Sequence, residues 1–276
     1  MCIAVFLWQS HPLYPFLLLL NRDEYHNRPT KATGWWEGGE ILGGQDEVGG
    51  GTWLACSKQG RVAFLTNVLE LHASPEAKTR GDLPVRFLES NKSPKAFAEE
   101  LVKEAHQYNG FNLIMVDLVC KSMFYISNRP KGEPVLIQEV KPGVHVLSNA
   151  KLDSPWPKAQ RLELKFRKLI EGHGEEDDIS MEELAEKLMK DKEKVADRSK
   201  LPHIHSLDWE YDLSSIFVEV DTPLGCYGTR STAGIKVRAS GEVSFHEIYL
   251  ENNKWKAHTV IYNIHRSNQK VEQLCK

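Results

Sequence analysis

The second residue of the sequence is a cysteine, and its position gives it two groups that can act together. Met1 precedes a small residue and is expected to be removed, which would leave Cys2 at the mature N-terminus. A free α-amine has a reference pKa of about 7.7–8.0 and a thiol one of about 8.5, so one residue would supply both a base and a nucleophile. The alternative interpretation is a small apolar cysteine buried at the start of a strand.

Two apolar runs near the start of the chain predict the element that would hold this cysteine. Residues 2–8 and 16–20 are separated by a turn over residues 10–15, a pattern that is typical of a β-hairpin. Their continuous apolar character indicates strands that are buried on both faces. The segment Asn-Arg-Asp-Glu at 21–24 would then lie where the second strand ends.

Pairing of these two strands would bring the polar segment close to the cysteine. Arg22 would lie beside Cys2, where a cation favours the thiolate over the thiol. Asp23 would be placed to accept a hydrogen bond from the α-ammonium group. The simpler alternative is a local ion pair that ends the strand.

Charge and cysteine content narrow the class of protein. The chain has 276 residues, a net charge of −3 and a pI near 6.4, so nucleic acid and anionic membranes are not expected as main partners. Neither apolar run approaches the roughly 20 residues that span a bilayer, and no transmembrane segment is expected. The five cysteines are scattered without a C-x-x-C pair, which is typical of a reducing compartment such as the cytoplasm.

Helix and strand patterns alternate along the rest of the chain. Ser93 followed by Pro94 predicts a helix start, and residues 158–170 carry an apolar stripe of helical period. Ser180 and Glu183 form a capping box before another helix. Further strands are predicted at 52–57, 61–68, 111–118, 123–127, 135–140, 144–148, 216–220, 234–238, 243–250 and 254–262.

Short motifs along the chain resemble, in their order, those of one protein family. They are Met-Cys at 1–2, Asn-Arg-Asp-Glu-Tyr at 21–25, Arg-Pro at 28–29, Gly-Gly-Thr-Trp-Leu at 50–54, Leu-Thr-Asn at 65–67, Tyr-Asn-Gly-Phe-Asn-Leu at 108–113, Leu-Ser-Asn-Ala at 147–150, Pro-Trp at 155–156 and Tyr-Gly-Thr-Arg-Ser-Thr at 227–232. The chain thereby resembles the transport and Golgi organisation protein 2 family, also named for its NRDE motif. Matches in this order over about 230 residues make the resemblance specific.

The resemblance implies a fold and a domain organisation. The family is similar in pattern to N-terminal nucleophile hydrolases of the choloylglycine and penicillin-acylase type. The expected fold is therefore α+β, a four-layer αββα sandwich. It would form a single domain over residues 1–262, followed by a flexible polar tail over residues 263–276.

The same resemblance implies roles for the first three site residues. Cys2 would be the nucleophile, Arg22 would lower its pKa, and Asp23 would orient the α-amine. The hydrolases place residues between their arginine and aspartate, whereas Arg22 and Asp23 are adjacent here. Adjacent side chains on a strand point to opposite faces, so both can face Cys2 only if the strand ends or bulges at this point.

Three later residues complete the implied site. Asn149 matches the oxyanion donor best, Asn67 is a second donor, and Arg230 stands in the position of the later arginine. This set suits cleavage of a C–N amide bond, in which a thiolate attacks, preorganised donors hold the oxyanion, and water deacylates the enzyme.

Two other groups of residues could indicate a metal site or a phosphate site, and each also has a structural interpretation. His203 and His205 have metal-ligand character, but no Cys or carboxylate stands at ligand spacing, and a loop after Pro202 explains them better. Three glycines at 49–51 suggest phosphate binding, but no Lys-Ser/Thr pair follows and the next element is a strand. A hairpin turn or a close backbone approach is the preferred interpretation, and no metal site is predicted.

Two functions from different classes follow from the resemblance. The first is an N-terminal cysteine amidohydrolase acting on a small amide or acyl conjugate, which requires no cofactor. The second is a non-catalytic carrier of haem, lipid or acyl-CoA that uses the same pocket; haem would take a Cys, His or Tyr axial ligand. The family links imply a role in Golgi organisation, secretion and lipid homeostasis. The expected location is cytoplasmic, with a Golgi-associated or mitochondrial location as the alternative.

Overall fold

The computed structural model describes residues 2–172 and 178–265. Within these ranges the chain divides into two compact units, one formed by residues up to 28, 69–71 and 142–261, the other by 29–68, 72–141 and from 262 onward. The strands are β1 (Cys2–Trp8), β2 (Phe16–Tyr25), β3 (Thr30–Trp35), β4 (Ile41–Asp46), β5 (Leu54–Ser57), β6 (Arg61–Asn67), β7 (Phe111–Asp117), β8 (Ser122–Ser127), β9 (Leu136–Glu139), β10 (Gly143–Leu147), β11 (Glu219–Thr222), β12 (Gly225–Val237), β13 (Glu242–Glu251) and β14 (Lys254–Asn263).

Helices occur in both units. They are α1 (Asp82–Glu89), α2 (Pro94–Leu101), α3 (Pro157–Gly172), α4 (Met181–Leu184) and α5 (Leu207–Asp212), with a π-helical turn at Ala185–Met189 and 3₁₀ turns at Ala105–Gln107 and Arg198–Lys200. The predicted helix starts are confirmed, since the hydroxyls of Ser93 and Ser180 accept hydrogen bonds from backbone N–H groups three residues later. In the described part of the chain, no helix is long and apolar enough to cross a membrane.

The first unit is a helical layer packed on one sheet. Its strands lie in the order β10-β1-β2-β12-β13-β14, with β11 paired to β12. Alternate residues of β1 and β2, including Ile3, Val5 and Leu19, point to the face on which Leu162 and Phe166 of α3 pack. The other residues of β1 are buried as well, which explains the continuous apolar run in the sequence.

The second unit repeats this architecture with a simpler strand order. Strands β3 to β9 follow one another across its sheet, and the pairings are antiparallel. Phe87 of α1 and Phe97 of α2 meet edge to face at 5.5 Å between ring centroids, and both pack on the sheet together with Leu113 and Met115. Helices and antiparallel sheets in both units confirm the α+β class.

The N-terminal hairpin is confirmed in its register, but its second strand is longer than predicted. Cys2 pairs with Arg22 and Trp8 pairs with Phe16. The expectation that the strand ends before residue 21 is wrong, because β2 continues to Tyr25. Its far edge pairs with β12 through Tyr25, which satisfies the backbone groups of the polar segment.

Other boundaries also differ from expectation. Strands β3 and β4 are missed because glycines interrupt the apolar pattern; a Cβ on Gly44 would lie 2.3 Å from the ring of Trp53. The helices α1 and α5 are missed as well, and β12 is thirteen residues long rather than five. Residue 263 ends β14, so the predicted tail starts inside a strand, and residues 266–276 lie outside the described residues.

Candidate active site

The pairing of β1 with β2 places Cys2 directly opposite Arg22. Directly opposite residues of an antiparallel pair have Cβ atoms about 4.5–5.5 Å apart and share a face of the sheet. Both side chains are buried, with 7% of Cys2 and 5% of Arg22 exposed. The structure therefore brings the predicted nucleophile and its predicted cation together.

Asp23 also contacts the Cys2 thiol, but through its backbone and not through its side chain. Its backbone amide is hydrogen-bonded to the Cys2 thiol, while its carboxylate Oδ1 accepts a hydrogen bond from Thr229 Oγ1 at 2.7 Å. Strand β2 neither ends nor bulges here; the irregularity lies in the partner strand β12, between Thr229 and Ser231. The adjacency of Arg22 and Asp23 is thus compatible with contacts from both to the neighbourhood of Cys2.

Burial dominates the protonation of the two acidic groups. It raises the pKa of the Cys2 thiol, and the Asp23 carboxylate adds to that effect, against the opposing influence of Arg22. Burial also raises the pKa of Asp23 to about 6, although Lys158 and the Thr229 hydroxyl favour its ionised form. Among the described residues, the Oδ2 atom of Asp23 has no hydrogen-bond partner.

Asn149 lies beside the backbone of the nucleophile. Ser148 Oγ lies 3.0 Å from the carbonyl oxygen of Cys2 and 3.1 Å from Asn149 Oδ1, so this hydroxyl links the two residues. Asn149 is 2% exposed, and its carbonyl oxygen accepts a hydrogen bond from the N–H of Leu69. These contacts orient the Asn149 amide, whose NH₂ group is the kind of donor that an oxyanion requires.

The two remaining predicted residues occupy different surroundings. Arg230 lies at the irregularity of β12, and its guanidinium donates to the carbonyl oxygens of Tyr25 and Arg28 just beyond the polar segment. Asn67 is the last residue of β6 and belongs to the second unit, where it pairs with Phe111. The catalytic roles of both residues stay predictions.

Lys158 is a member of the cluster that sequence reasoning missed. It is 3% exposed, and its Nζ donates to the carbonyl oxygen of Leu213 at 2.9 Å. Burial lowers its pKa, while the charges of Asp23 and Cys2 favour the ammonium form. Its spacing in the sequence could have predicted its burial, because Lys158 stands four residues before Leu162 on the buried face of α3.

Tyr227 and Thr229 were visible in the sequence only as parts of a motif. Thr229 faces Asp23 across the β2–β12 pair. Burial raises the pKa of the Tyr227 phenol, and the charges of Asp23 and Cys2 raise it further. Both residues therefore belong to the surroundings of the thiol.

The competing clusters adopt structural roles. His203 and His205 lie in a loop whose backbone N–H groups donate to the Glu210 carboxylate. In the described ranges, no group of three or more His, Cys, Asp or Glu side chains could hold a metal ion. Gly51 has a φ of 78°, and a Cβ there would lie 2.1 Å from the carbonyl oxygen of Gly81, which confirms a close backbone approach.

The described cysteines differ in their bonding state. Cys2, Cys56 and Cys226 are free thiols, as expected of reduced residues. Cys120 is disulfide-bonded.

Comparison with known proteins places the chain in a family. Residues 1–252 match the family model described as Transport and Golgi organisation 2. The chain belongs to the Transport and Golgi organisation 2 family. The mouse homologue of this family is 32% identical over 281 residues, which covers 96% of this chain and 99% of the mouse protein. The human homologue is 34% identical over 261 residues, covering 90% of this chain and 92% of the human protein.

Solved structures show the fold of this family member. A Cys-to-Ala variant of conjugated bile acid hydrolase from Clostridium perfringens aligns with a TM-score of 0.52 over 95% of this chain and 97% of the hydrolase, at 9% identity. An arginine variant of the same hydrolase aligns equally well, at 10% identity. Likeness at such low identity shows the fold alone, and that fold is the one of N-terminal nucleophile hydrolases, as predicted.

Proposed function

We propose that the chain is an N-terminal cysteine amidohydrolase that cleaves the C–N bond of a small amide or acyl conjugate. The observation that carries the proposal is the buried cluster around Cys2, with Arg22 opposite the thiol and the Asp23 backbone amide bonded to it. The fold of N-terminal nucleophile hydrolases supports it. No metal or organic cofactor enters the proposed reaction.

Asp23 supports a particular role for the α-amine. A buried carboxylate oxygen without a partner is costly, and Asp23 Oδ2 is such an atom among the described residues. The α-amine of Cys2 would supply the missing N–H donor, and once it has taken a proton it would favour the ionised carboxylate. The proposal therefore requires that Cys2 be the first residue of the mature protein.

The reaction then proceeds in two balanced stages. The α-amine of Cys2 takes the thiol proton, and the thiolate attacks the amide carbonyl carbon while donors such as the Asn149 amide hold the oxyanion. The C–N bond breaks, the α-ammonium gives its proton to the leaving amine, and a thioester on Cys2 remains. Water attacks the thioester with the α-amine as base, which releases the carboxylic acid and restores the thiol.

The first test is the identity of the mature N-terminus. N-terminal sequencing and intact-mass analysis of the native protein should show Cys2 as the first residue. A retained Met1 would contradict the mechanism, because the α-amine would then belong to another residue.

The second test is turnover of chromogenic acyl anilides by matched variants. Cys2→Ala should lower turnover by roughly a thousandfold or more. Cys56→Ala is the control, since Cys56 is a fully buried free thiol of the second unit whose pKa is raised by burial to about 12. Equal turnover by the native protein and Cys2→Ala would refute the proposal.

A second candidate, a carrier of haem, lipid or acyl-CoA in the same pocket, is supported by the protonation of the thiol. Burial raises the pKa of Cys2, and a protonated thiol is a weak nucleophile. A carrier would bind haem with a Soret band that Cys2→Ala weakens, and it would leave acyl anilides intact. Acyl anilide turnover that depends on Cys2 would rule it out.

For the cellular role, we propose a part in Golgi organisation and secretion, which the family name supports. The proposed location is cytoplasmic, and it includes association with the Golgi or a mitochondrial pool. Imaging of a tagged chain with organelle markers tests it, and an exclusively nuclear or extracellular signal would contradict it.

A further inference from the structure

The second unit contains a cavity of about 370 Å³ on the face of its sheet that carries the helices. The cavity is lined by the turn before β4, by the last turn of α1 with the segment that follows it, and by the ends of β5, β6 and β7. Pockets that bind small molecules have volumes of about 300–1,000 Å³. The space is therefore large enough for a small organic ligand.

The lining of this cavity carries more negative than positive charge. Its ionisable residues are four acids and two bases, namely Glu37, Glu40, Glu89, Asp117, Arg61 and Lys92. A concave site lined by an excess of one sign of charge attracts ligands of the opposite sign. The next question is which of these six groups are already paired.

Both bases of the lining have partners within the second unit. Arg61 lies directly opposite Asp117 in the β6–β7 pair, and the charge of Asp117 favours the ionised guanidinium. The guanidinium also donates to the carbonyl oxygens of Ser90 and Lys92, just after α1 ends. The ammonium of Lys92 forms an ion pair with Glu100. Neither base is therefore left to attract an anion.

Three carboxylates of the lining, by contrast, lack a cation. Among the described residues, no ion pair within 4.0 Å is formed by Glu37, Glu40 or Glu89. The Glu40 carboxylate accepts a hydrogen bond from the neutral amide of Gln59. The ammonium of Lys58, which follows β5, lies 4.9 Å from the centroid of the Trp35 ring instead. A cationic ligand is thus the partner that suits this cavity.

The distribution of the carboxylates indicates an extended cation. Glu37 and Glu40 belong to the turn before β4, whereas Glu89 is the last residue of α1. In the part of the chain that the structure describes, no three acidic, histidine or cysteine side chains converge closely enough to hold a metal ion. A molecule with several ammonium groups along its length can reach separate carboxylates. The buried apolar residues Ile41 and Leu88, also in the lining, suit the methylene groups between its charges.

We propose that this cavity binds an aliphatic polyamine, with its ammonium groups on the three unpaired carboxylates and its methylene groups against Ile41 and Leu88. The site is separate in its residues from the proposed hydrolase reaction, since none of them takes part in that chemistry. Binding therefore requires no turnover.

Calorimetric titration of the full chain with spermidine, putrescine and n-butylamine tests the proposal. The three probes carry three, two and one ammonium groups on similar hydrocarbon chains. Each exposed ion pair is expected to strengthen binding by about threefold, so spermidine should bind roughly tenfold more tightly than n-butylamine. Putrescine should lie between them.

Variants of the three glutamates locate the site. Glu37→Gln, Glu40→Gln and Glu89→Gln should each weaken spermidine binding by about threefold, and the triple variant by about thirtyfold. The three side chains belong to exposed residues, so the variants are expected to fold. The triple variant should also bind spermidine and n-butylamine with nearly equal affinity.

Glu133→Gln is the matched control, because Glu133 is an exposed glutamate of the same unit that does not line the cavity. It should leave the affinity for spermidine unchanged. No binding of spermidine, equal affinity for spermidine and n-butylamine in the native chain, or unchanged binding in the triple variant would overturn the proposal. A loss in Glu133→Gln as large as that in Glu89→Gln would also overturn it, because spermidine would then respond only to the net charge of the surface.

Discussion

Both units bury polar side chains, but they treat them differently. In the second unit the Asn128 amide accepts from the N–H of Phe111 and donates to the carbonyl oxygens of Ala105 and Tyr108. That group is neutral and bonded at both ends. In the first unit, by contrast, Cys2, Asp23 and Lys158 form one cluster of ionisable groups whose charges interact, and burial displaces the pKa of each.

The contrast separates structural polar groups from functional ones. A buried amide with all its partners stabilises a single arrangement of loop and strand, as Asn128 does where the chain enters β7. Clusters of buried ionisable groups that shift one another's pKa values are costly, and such clusters concentrate at functional sites. We therefore expect substitution of Asn128 to change stability, and substitutions around Cys2 to change chemistry or pH dependence.

The largest expected effect concerns the charge of Asp23. Its pKa in the folded protein is about 6, above the ordinary value of 3.8, so the folded state favours the protonated form. That stabilisation is full below the unfolded pKa and is lost as the pH rises through the folded pKa. With Met1 retained, so that no α-ammonium of Cys2 favours the carboxylate, denaturant titrations should therefore show the free energy of unfolding of Asp23→Asn rising relative to the native sequence by about 2.4 kcal/mol between about pH 4 and pH 7.

A pH-independent difference between Asp23→Asn and the native protein would contradict this assignment. It would mean that the carboxylate is ionised in the folded protein throughout this range, and that the contrast between the units does not extend to Asp23.

Asn128→Ala is the reciprocal test in the second unit. It leaves one N–H and three carbonyl groups without their side-chain partner, and it should lower the free energy of unfolding by roughly 2 kcal/mol. Turnover per folded molecule should be unchanged. Loss of turnover in well-folded Asn128→Ala would contradict this distinction between structural and functional polar groups, because a fully hydrogen-bonded amide would then be needed for the reaction.

The third prediction compares two buried arginines. Arg22→Met removes the cation opposite Cys2, and the acid limb of the kcat/KM profile should move to higher pH by about one unit, about tenfold in rate at fixed pH. Arg61 donates instead to the carbonyl oxygens of Ser90 and Lys92. Arg61→Met should lower stability and leave the pH profile in place; identical profiles for Arg22→Met and the native protein would refute the role of Arg22.

The part of the site that was predictable from the sequence is the part encoded by local pattern. Two apolar runs and a turn were enough to place Arg22 beside Cys2, because the register of a hairpin follows from its loop. The hydrogen bond that Thr229 donates to Asp23 was not predictable, since it depends on pairing with β12, some two hundred residues later in the chain.

The burial of Lys158 could not be predicted from its residue type. A lysine in a charged helix normally indicates a solvated face, and only its spacing to Leu162 and Phe166 placed it on the buried side. The strands β3 and β4 were missed for a related reason, because close packing there uses glycines instead of alternating apolar residues. Local sequence patterns do not predict which distant strands pair or where two segments of backbone approach closely.

The central claim is that Cys2 is the nucleophile, and its most direct test is mass spectrometry of the native protein quenched with acid during turnover of an acyl anilide. The predicted result is an acyl adduct on an N-terminal peptide that begins with Cys2, released by hydroxylamine as expected of a thioester and absent from Cys2→Ala. Turnover without such an adduct, or an adduct that persists in Cys2→Ala, would contradict the claim.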